Sequence, residues 1–379
     1  MRLNLIAPLA VVLVAALICV ACIVRIRSLQ RKNYGKWRRI AEISGLAVML
    51  LFAASLGAGA AFNAAASQYF FSRHPAPGKL YEVGGYQMHL NCTGQGSPTV
   101  VLDAGLGNDS LIWDNVQPEL SKITEVCSYD RSGFGWSETR PGPRDARRLN
   151  DELHGLLNAA GVQGPVILMG HSISGMYIRD YAARYPQNLV GLVFVDGSTP
   201  LQDARFPAEI QLAEEKTGAD LRKLEWLSVL GLRREMGGCA PEEGFSKSAA
   251  KLLAEDQCRT SVLAAAMQEL GGVVQSGDET IHTGPFGDLP ILIFSQDPVQ
   301  PATPGISAET GKAVSKTWNE MQEDLKKLST RSRRIIAKGS SHFVQIDRVG
   351  MLNAEVGEFI RQVRGEVAER TDYGSTKVE

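Results

Sequence analysis

Two long uncharged runs near the start of the chain constrain its fold more than any other feature. Residues 3–24 contain no charged side chain and are mostly Leu, Val, Ile and Ala, and a second uncharged run covers residues 43–71. Each run exceeds the roughly 20 apolar residues that cross a bilayer core as a helix. Two buried core helices would each need a polar face, and neither run has one. The sequence therefore predicts two membrane-spanning helices, at about 3–24 and 43–71.

Charged residues are divided unevenly between residues 1–79 and the remainder of the chain. Residues 1–79 carry ten Lys and Arg against one acid, Glu42, whereas residues 80–379 carry 30 basic and 40 acidic side chains. Most of the early basic residues lie at 25–39, between the two runs, and loops of this kind stay in the cytoplasm. With no aromatic-interleaved basic patch elsewhere, nucleic-acid binding is excluded. We expect a multi-pass cell-membrane protein whose main domain lies on the periplasmic or extracellular side.

Cysteine positions agree with that placement. Beyond the two runs, four cysteines occur, at 92, 127, 239 and 258. An even number outside the cytoplasm permits disulfides, three pairings are possible, and the spacing fits no zinc site. The first run is too long for a cleaved signal peptide and almost lacks the basic start that such peptides have. A lipid anchor at Cys22 is disfavoured because Cys19 stands where a lipobox has Leu.

From residue 80 onward, strand and helix patterns alternate. Apolar runs such as PVILM and LVGLVFV are typical of strands that are buried on both faces, and helical patterns fill the gaps. The sequence thus predicts a mostly parallel sheet with helices on both faces. This domain spans residues 80–369 and contains a helical insertion at about 200–287. It follows a two-span anchor at 1–79 and precedes a polar tail at 370–379.

Ser172 is the candidate nucleophile. The segment PVILMGHSISGMYIRDYAARYP places it between an apolar strand and an amphipathic helix. A nucleophile elbow requires this context, with small residues beside the serine so that the sharp turn can close. Gly170 and Ser174 are those small residues here, although a glycine more often stands at the second position. Ser137 and Ser246 lie in similar short motifs but at no strand-to-helix junction.

A serine hydroxyl needs a base, and histidine is the usual base near neutral pH. Of the six histidines, His342 directly follows the last predicted strand, in RRIIAKGSSHFVQID, where a loop can bring it over the edge of the sheet. The third group should be a carboxylate that follows a strand between the serine and the histidine. Asp297 ends the strand in LPILIFSQDP and is the expected acid. Asp196, in LVFVDGSTP, is the alternative, since its Asp-Gly pair could equally serve a turn.

Backbone N–H groups must donate hydrogen bonds to the substrate oxygen on which negative charge develops. The amide of Ile173, at the start of the helix, is one candidate donor. The other is Leu106, which follows Gly105 in the Gly-rich segment VVLDAGLGNDS. One such donor typically contributes about 3 kcal/mol to transition-state stabilisation.

These motifs together resemble one known superfamily. VVLDAGLGNDSLIW, VCSYDRSGFGWSE, GHSISG, the long insertion, QDP and GSSHF have the order and spacing of the α/β-hydrolase fold, particularly of its lid-bearing esterases, lipases and peptidase-like members. The resemblance covers roughly residues 80–369, although Ala104-Gly105 replaces the usual His-Gly of the oxyanion loop. It implies an eight-stranded, mostly parallel sheet and a helical lid. It also makes the second and fourth strands antiparallel neighbours, which would pair Cys92 with Cys127. The cysteines at 239 and 258 would then form a disulfide within the lid.

The resemblance implies a serine hydrolase of the carboxylesterase or lipase type, and the two predicted spans make it membrane-anchored. It would cleave an ester or related acyl substrate through a Ser–His–Asp triad and an acyl-enzyme, with no metal or organic cofactor. The expected partners are a small acyl substrate and the lipid bilayer around the spans. Two alternatives stay open: an inactive hydrolase fold that serves as a membrane-tethered binding or sensor module, and an acyltransferase that uses the same triad.

Overall fold

Two long antiparallel helices begin the structure. The computed structural model describes residues 6–32, 34–241, 243–302, 305–368, 370 and 372–379, apart from the side chains of 211–215 and 217. The helices are α1 (Ile6–Arg31) and α2 (Lys36–Arg73), and each contains one uncharged run. Both continue into the basic segment predicted as a loop at 25–39, so the connection is much shorter than expected. Lys, Arg and Gln are good helix formers, which explains why the segment stays helical.

The apolar side chains of these helices point mostly outward. Their most apolar windows have mean hydropathies of 3.0 and 2.0, yet only 17% and 11% of those windows is buried inside the protein. A core helix of a soluble protein would be mostly buried. Both helices are long and apolar enough to cross a membrane.

A nine-stranded sheet forms the centre of the remaining chain, in the order β1-β2-β4-β3-β5-β6-β7-β8-β9. The β1–β2 and β2–β4 pairs are antiparallel, and every other neighbouring pair is parallel. This topology confirms the predicted α/β-hydrolase architecture. The strands are β1 (Lys79–Val83), β2 (Tyr86–Thr93), β3 (Thr99–Asp103), β4 (Val126–Tyr129), β5 (Val166–His171), β6 (Leu189–Val195), β7 (Ile291–Ser295), β8 (Ser332–Ile336) and β9 (Thr376–Val378).

Strand β9 is the ninth strand, where eight were expected, and it lies in the segment predicted to be a polar tail. The amide of Arg334 donates to Ser375 (3.1 Å), and the amide of Glu379 donates to Ile336 (2.9 Å). All three residues of β9 are exposed. A strand that buries no apolar side chain leaves no hydrophobic pattern in the sequence, so the backbone pairing alone reveals it.

Helices cover both faces of the sheet. One face packs against α3, α13 and α14, and the other packs against α4 and α5, while α12 contacts the end of the sheet near β7. Burial of both faces accounts for the nearly continuous apolar sequences of the central strands. The helices are α3 (Gln117–Leu120), α4 (Ala146–Ala160), α5 (Ser174–Arg184), α12 (Ala308–Asp324), α13 (Val344–Asp347) and α14 (Val349–Val363).

Between β6 and β7 the described residues form six helices, here called the helical insertion. Residues 200–287, as far as they are described, contain no strand, in agreement with the predicted insertion. Both disulfides implied by the resemblance are present: Cys92–Cys127 joins β2 to β4, and Cys239–Cys258 closes a loop within the insertion. The insertion helices are α6 (Gln202–Arg205), α7 (Ala208–Val229), α8 (Leu232–Glu235), α9 (Lys247–Asp256), α10 (Thr260–Gly271) and α11 (Val273–Thr280).

Candidate active site

Ser172 lies in a sharp turn between β5 and α5. Its φ of 55° is in the left-handed region, which a non-glycine residue adopts only when the surrounding structure enforces it. Three backbone hydrogen bonds do so: Ser172 N–H donates to Val195 (3.1 Å), and its carbonyl accepts from Gly175 (2.8 Å) and Ser198 (2.7 Å). The turn therefore holds the Ser172 hydroxyl at the carboxyl edge of the sheet, as the strand-to-helix pattern predicted.

Close backbone approaches explain the small residues around this turn. A Cβ at Gly170 would lie 2.9 Å from the Ser174 carbonyl oxygen, and one at Gly175 would lie 2.7 Å from that of Ser198. Ser174 is tolerated because its hydroxyl donates to the carbonyl of Ala104 at 2.5 Å. That bond ties the start of α5 to the Gly-rich loop after β3. Ser174, at the position where a glycine is usual, thus forms a hydrogen bond that a glycine could not form.

His342 lies over Ser172. Its Nε2 is 2.8 Å from Ser172 Oγ, and its Nδ1 is 2.6 Å from Asp196 Oδ2. The loop that follows β8 brings His342 to this position, and its side chain stays 34% exposed. The structure therefore brings together the predicted serine and the predicted histidine.

The expectation that Asp297 contacts this histidine is wrong, and the alternative, Asp196, occupies the place. Asp297 is partly exposed, and its carboxylate accepts from the amides of Val299 (2.8 Å) and Gly339 (2.7 Å). These two hydrogen bonds hold the pKa of Asp297 below its usual value. The strand order supplies the reason for the difference. Because β6 is the direct neighbour of β5, the residue that ends β6 lies beside the elbow, whereas Asp297 ends the next strand outward.

Asp196 is completely buried and firmly held. Its φ of 47° is again left-handed, so the Asp-Gly sequence also forms a turn. Its Oδ1 accepts from the amide of Gln296 and from the indole Nε1 of Trp318, each at 2.9 Å. These donors leave Oδ2 for His342. Trp318 lies in α12, far away in sequence and in no motif, so sequence reasoning did not find it.

The Gly-rich loop passes directly over the elbow. A Cβ at Gly105 would lie 2.7 Å from His171 Nδ1 and 3.3 Å from Ser172 Cβ, so this position requires glycine. Leu106 packs against the cluster that contains Ile173. In the described part of the chain, neither the Leu106 amide nor the Ile173 amide donates a hydrogen bond to another protein group. Both N–H groups are therefore available to an oxygen atom beside Ser172.

Arg131 is buried and supports the Gly-rich loop after β3. Arg131 donates to the carbonyls of Ala104 (2.6 Å) and Gly105 (2.7 Å) and forms ion pairs with Asp103 and Glu269. Burial alone would raise the pKa of the Glu269 carboxyl, but the charges of Arg131 and Arg144 outweigh it and keep that pKa below its usual value. Since Glu269 belongs to α10, this cluster joins the helical insertion to the loop at the active site. No sequence motif pointed to this cluster.

His171, the residue before Ser172, stays neutral. Burial and the neighbouring His342 hold the pKa of its imidazole well below the usual value. Its Nε2 is 3.1 Å from the carbonyl oxygen of His342. The His171 ring thus lies between Gly105 and the backbone of His342.

A second histidine–aspartate pair, His89 and Asp130, lies elsewhere. The hydroxyl of the neighbouring Ser137 bonds to the backbone of both residues, and the partners of the His89 ring nitrogens are Asp130 and Pro77. His89 Nδ1 is 2.7 Å from Asp130 Oδ2, and both side chains are fully buried. The other ring nitrogen of His89 contacts the carbonyl of Pro77, which ties the segment after α2 to the sheet. Among the described residues, no group of three or more His, Cys, Asp or Glu side chains has the arrangement of a metal site.

Several known proteins are similar in sequence to parts of this chain. An uncharacterized protein of Schizosaccharomyces pombe is 27% identical over 322 residues, which cover 75% of this chain and 56% of that protein. “Probable transporter efuK” of Hormonema carpetanum is 32% identical over 136 residues, 34% of this chain but 20% of its own length. An uncharacterized vacuolar membrane protein of Saccharomyces cerevisiae is 26% identical over 117 residues, 26% of this chain and 18% of its own. The chain thus spans about half, or less, of these relatives.

A solved structure and a family model complete the comparison. A thermophilic esterase from Thermogutta terrifontis superposes with a TM-score of 0.50 at 19% identity, over 75% of this chain and 98% of the esterase. At that identity the likeness shows the fold alone. The model of the alpha/beta hydrolase family matches residues 100–354, which is most of the chain. This chain is therefore a member of the alpha/beta hydrolase family.

Proposed function

We propose that this protein is a membrane-anchored serine hydrolase that cleaves an ester or a related acyl substrate. The observation that carries the proposal is the continuous hydrogen-bonded series from Asp196 through His342 to Ser172. A buried acid, an imidazole and a hydroxyl in this order form the arrangement that activates serine for attack on a carbonyl carbon.

Each group has a defined part in the proposed reaction. The Ser172 oxygen attacks the acyl carbon while its proton moves to His342 Nε2, and the buried Asp196 carboxylate stabilises the resulting imidazolium. The amides of Leu106 and Ile173 donate to the oxyanion, each worth about 3 kcal/mol. The intermediate collapses when the imidazolium gives its proton to the leaving group. Water then releases the acyl group from Ser172 by the same two proton transfers.

The proposed anchor consists of α1 and α2 as two membrane spans, with the basic segment 25–39 in the cytoplasm. Low burial of both helices supports this proposal, since the described part of the chain leaves most of their apolar side chains uncovered. The excess of Lys and Arg at their connection supports the orientation. The catalytic domain would then lie outside the cytoplasm, where both disulfides are chemically stable.

Covalent labelling tests the nucleophile. Membranes that contain the full-length protein are treated with a fluorophosphonate probe, and hydrolysis of short-chain and long-chain esters is measured in parallel. We expect labelling and hydrolysis in the wild-type protein and neither in Ser172→Ala. Ser246→Ala is the matched control, because this serine lies in a similar short motif but only caps α9; it should label normally.

Two results would count against the proposal. A wild-type protein that is neither labelled nor able to hydrolyse any ester would favour the inactive binding or sensor module. If Ser172 is labelled but acyl groups appear on added alcohols or amines in preference to water, the protein is an acyltransferase with the same nucleophile.

A further inference from the structure

We propose that the corner between α7 and α8 inserts into the outer leaflet of the bilayer, as a second membrane contact beside the two spans. This corner, here called the insertion corner, comprises residues 226–236. The inference rests on the proposed anchoring of α1 and α2. It concerns a surface of the helical insertion, which lies far along the chain from both spans.

The depth of the insertion corner follows from how α1 and α2 pair. Gly57 of α2 faces Ala15 of α1, since a Cβ at Gly57 would lie 2.9 Å from the Ala15 Cβ. From Ala15, α1 continues outward to Ile6, which at 1.5 Å per residue is about 14 Å. Gly59 lies only about 3 Å outward of Gly57 by the same measure. The apolar part of α1 therefore extends about 10 Å beyond the level of Gly59.

The insertion corner contacts α2 at this level. A Cβ at Gly59 would lie 2.3 Å from the carbonyl oxygen of Leu230, and a Cβ at Gly231 would lie 2.4 Å from the carbonyl oxygen of Gly59. The two backbones are thus in direct contact, and neither glycine could be replaced without displacement. If α1 and α2 span the bilayer, a contact at Gly59 lies within the apolar layer and below the outer surface.

A buried polar network fixes the insertion corner in this position. Asn63 of α2 donates to the carbonyl of Ser228 (2.7 Å), and Arg234 donates to the Asn63 oxygen (2.9 Å). Arg234 also pairs with Glu255, and Ser67 of α2 donates to the same carboxylate (2.7 Å). These polar groups are hydrogen-bonded to one another, and the charged side chains of Arg234 and Glu255 are only 18% and 7% exposed. The network can therefore lie near the apolar layer.

The outer side of the corner has the side chains that an interface requires. Trp226 is 61% exposed, Met236 is 74% exposed and Leu232 is 40% exposed, although all three are large and apolar. Arg222 and Lys223 are exposed one turn before Trp226 and could meet lipid phosphates. Tryptophan and nearby basic residues are enriched at the level of lipid headgroups, with apolar side chains below them. We therefore assign the outer leaflet, and not a second protein, as the occupant of this surface.

Helix α7 connects this contact to the active site. It begins at Ala208, two residues after Phe206, whose ring stacks on Trp318 at 6.1 Å. Trp318 in turn donates to Asp196. A lipid contact at one end of α7 is thereby joined to the rim of the site at its other end.

Quenching by brominated lipids tests the inference. The full-length protein is reconstituted into nanodiscs of phosphatidylcholine with or without bromine at the shallow 6,7 positions, and tryptophan emission is measured. The background is Trp37→Phe, because Trp37 lies at the opposite end of α2 and would also be quenched. We expect bromine to remove up to about a quarter of the emission of this variant, since Trp226 is one of its four remaining tryptophans. The loss should disappear in Trp37→Phe/Trp226→Phe.

The same measurement separates the failure of this inference from the failure of the proposed anchor. In the protein that retains Trp37 but carries Trp226→Phe, quenching by brominated lipid reports on Trp37 near the start of α2. If Trp37 is quenched and Trp226 is not, the spans are in the membrane and the insertion corner is not, which overturns the inference. If neither is quenched, the anchor itself is wrong, and the inference fails with it.

Discussion

At the scale of single residues, hydrogen-bond donors decide how the acid of the candidate site is presented. Asp196 is fully buried, and Gln296 and Trp318 both donate to its Oδ1, so only Oδ2 faces His342. A buried carboxylate with this arrangement fixes both the ring orientation and the tautomer of the histidine. Asp297 has two backbone donors of its own and contacts the loop before His342, through Gly339. The two acids thus differ in role even though each follows a strand.

Substituting each acid by asparagine separates these roles. Asp196→Asn should lower kcat by about 10³–10⁴-fold, because an amide cannot stabilise the imidazolium and favours the wrong tautomer. Asp297→Asn should lower kcat by less than about tenfold. Asparagine keeps one side-chain oxygen, so only one of the two backbone hydrogen bonds, worth roughly 1 kcal/mol, is weakened. Ester hydrolysis and fluorophosphonate labelling rates measure both effects. A larger loss in Asp297→Asn than in Asp196→Asn would contradict the assignment of the acid.

At the scale of secondary-structure elements, α10 supports the Gly-rich loop through buried charges. Glu269 reaches from α10 to Arg131 and Arg144, and Arg131 holds the carbonyls of Ala104 and Gly105. The position of the Leu106 amide therefore depends on an element that lies outside the central sheet. This arrangement gives the helical insertion a direct influence on the candidate oxyanion site, apart from any role as a cover.

Removing the charge of Glu269 tests this dependence. In Glu269→Gln, Arg131 keeps its ion pair with Asp103 but Arg144 loses its ion pair with Glu269. Breaking such a buried pair typically lowers the free energy of unfolding by about 3–5 kcal/mol. We also expect kcat to fall more than KM rises, because the oxyanion donor shifts while the acyl pocket remains. Thermal unfolding and ester kinetics measure the two effects. Glu320→Gln, which removes an exposed pair with Arg205, is the control and should change neither. Equal behaviour of the two variants would refute the supporting role.

At the scale of the whole molecule, α2 and the helical insertion form one unit. Asn63 and Ser67 of α2 share a buried hydrogen-bonded network with Arg234 and Glu255 of the insertion. Helix α2 thus contacts the insertion directly and holds it in place. If the anchor spans the bilayer as proposed, the orientation of the catalytic domain relative to the membrane is fixed by these contacts.

Thiol labelling tests the orientation of the entire molecule. In a Cys19→Ala/Cys22→Ala background, an exposed cysteine is introduced either at Lys312 in α12 or at Gln30 near the end of α1. If the basic segment lies in the cytoplasm as proposed, a membrane-impermeant maleimide should label Lys312→Cys in intact cells and Gln30→Cys only after permeabilisation. The reverse pattern would place the catalytic domain in the cytoplasm and would contradict the proposed topology.

Local sequence was sufficient for the parts of this protein whose structure depends on neighbouring residues. The strand, the sharp turn and the helix around Ser172 lie within one short segment, and the two apolar helices follow from their composition. The α/β-hydrolase fold followed from the order of such segments, and the comparisons confirm it.

Only the tertiary structure decided the features that depend on which elements become neighbours. Asp196 and Asp297 end two strands with similar patterns, and the lateral order of β5, β6 and β7 determines which one reaches His342. Trp318, Glu269 and the contact of Gly59 with the insertion corner join residues that are distant along the chain. Strand β9 buries no apolar side chain and depends on backbone pairing with β8. Such contacts depend on spatial neighbours, which the composition and periodicity of a single segment do not encode.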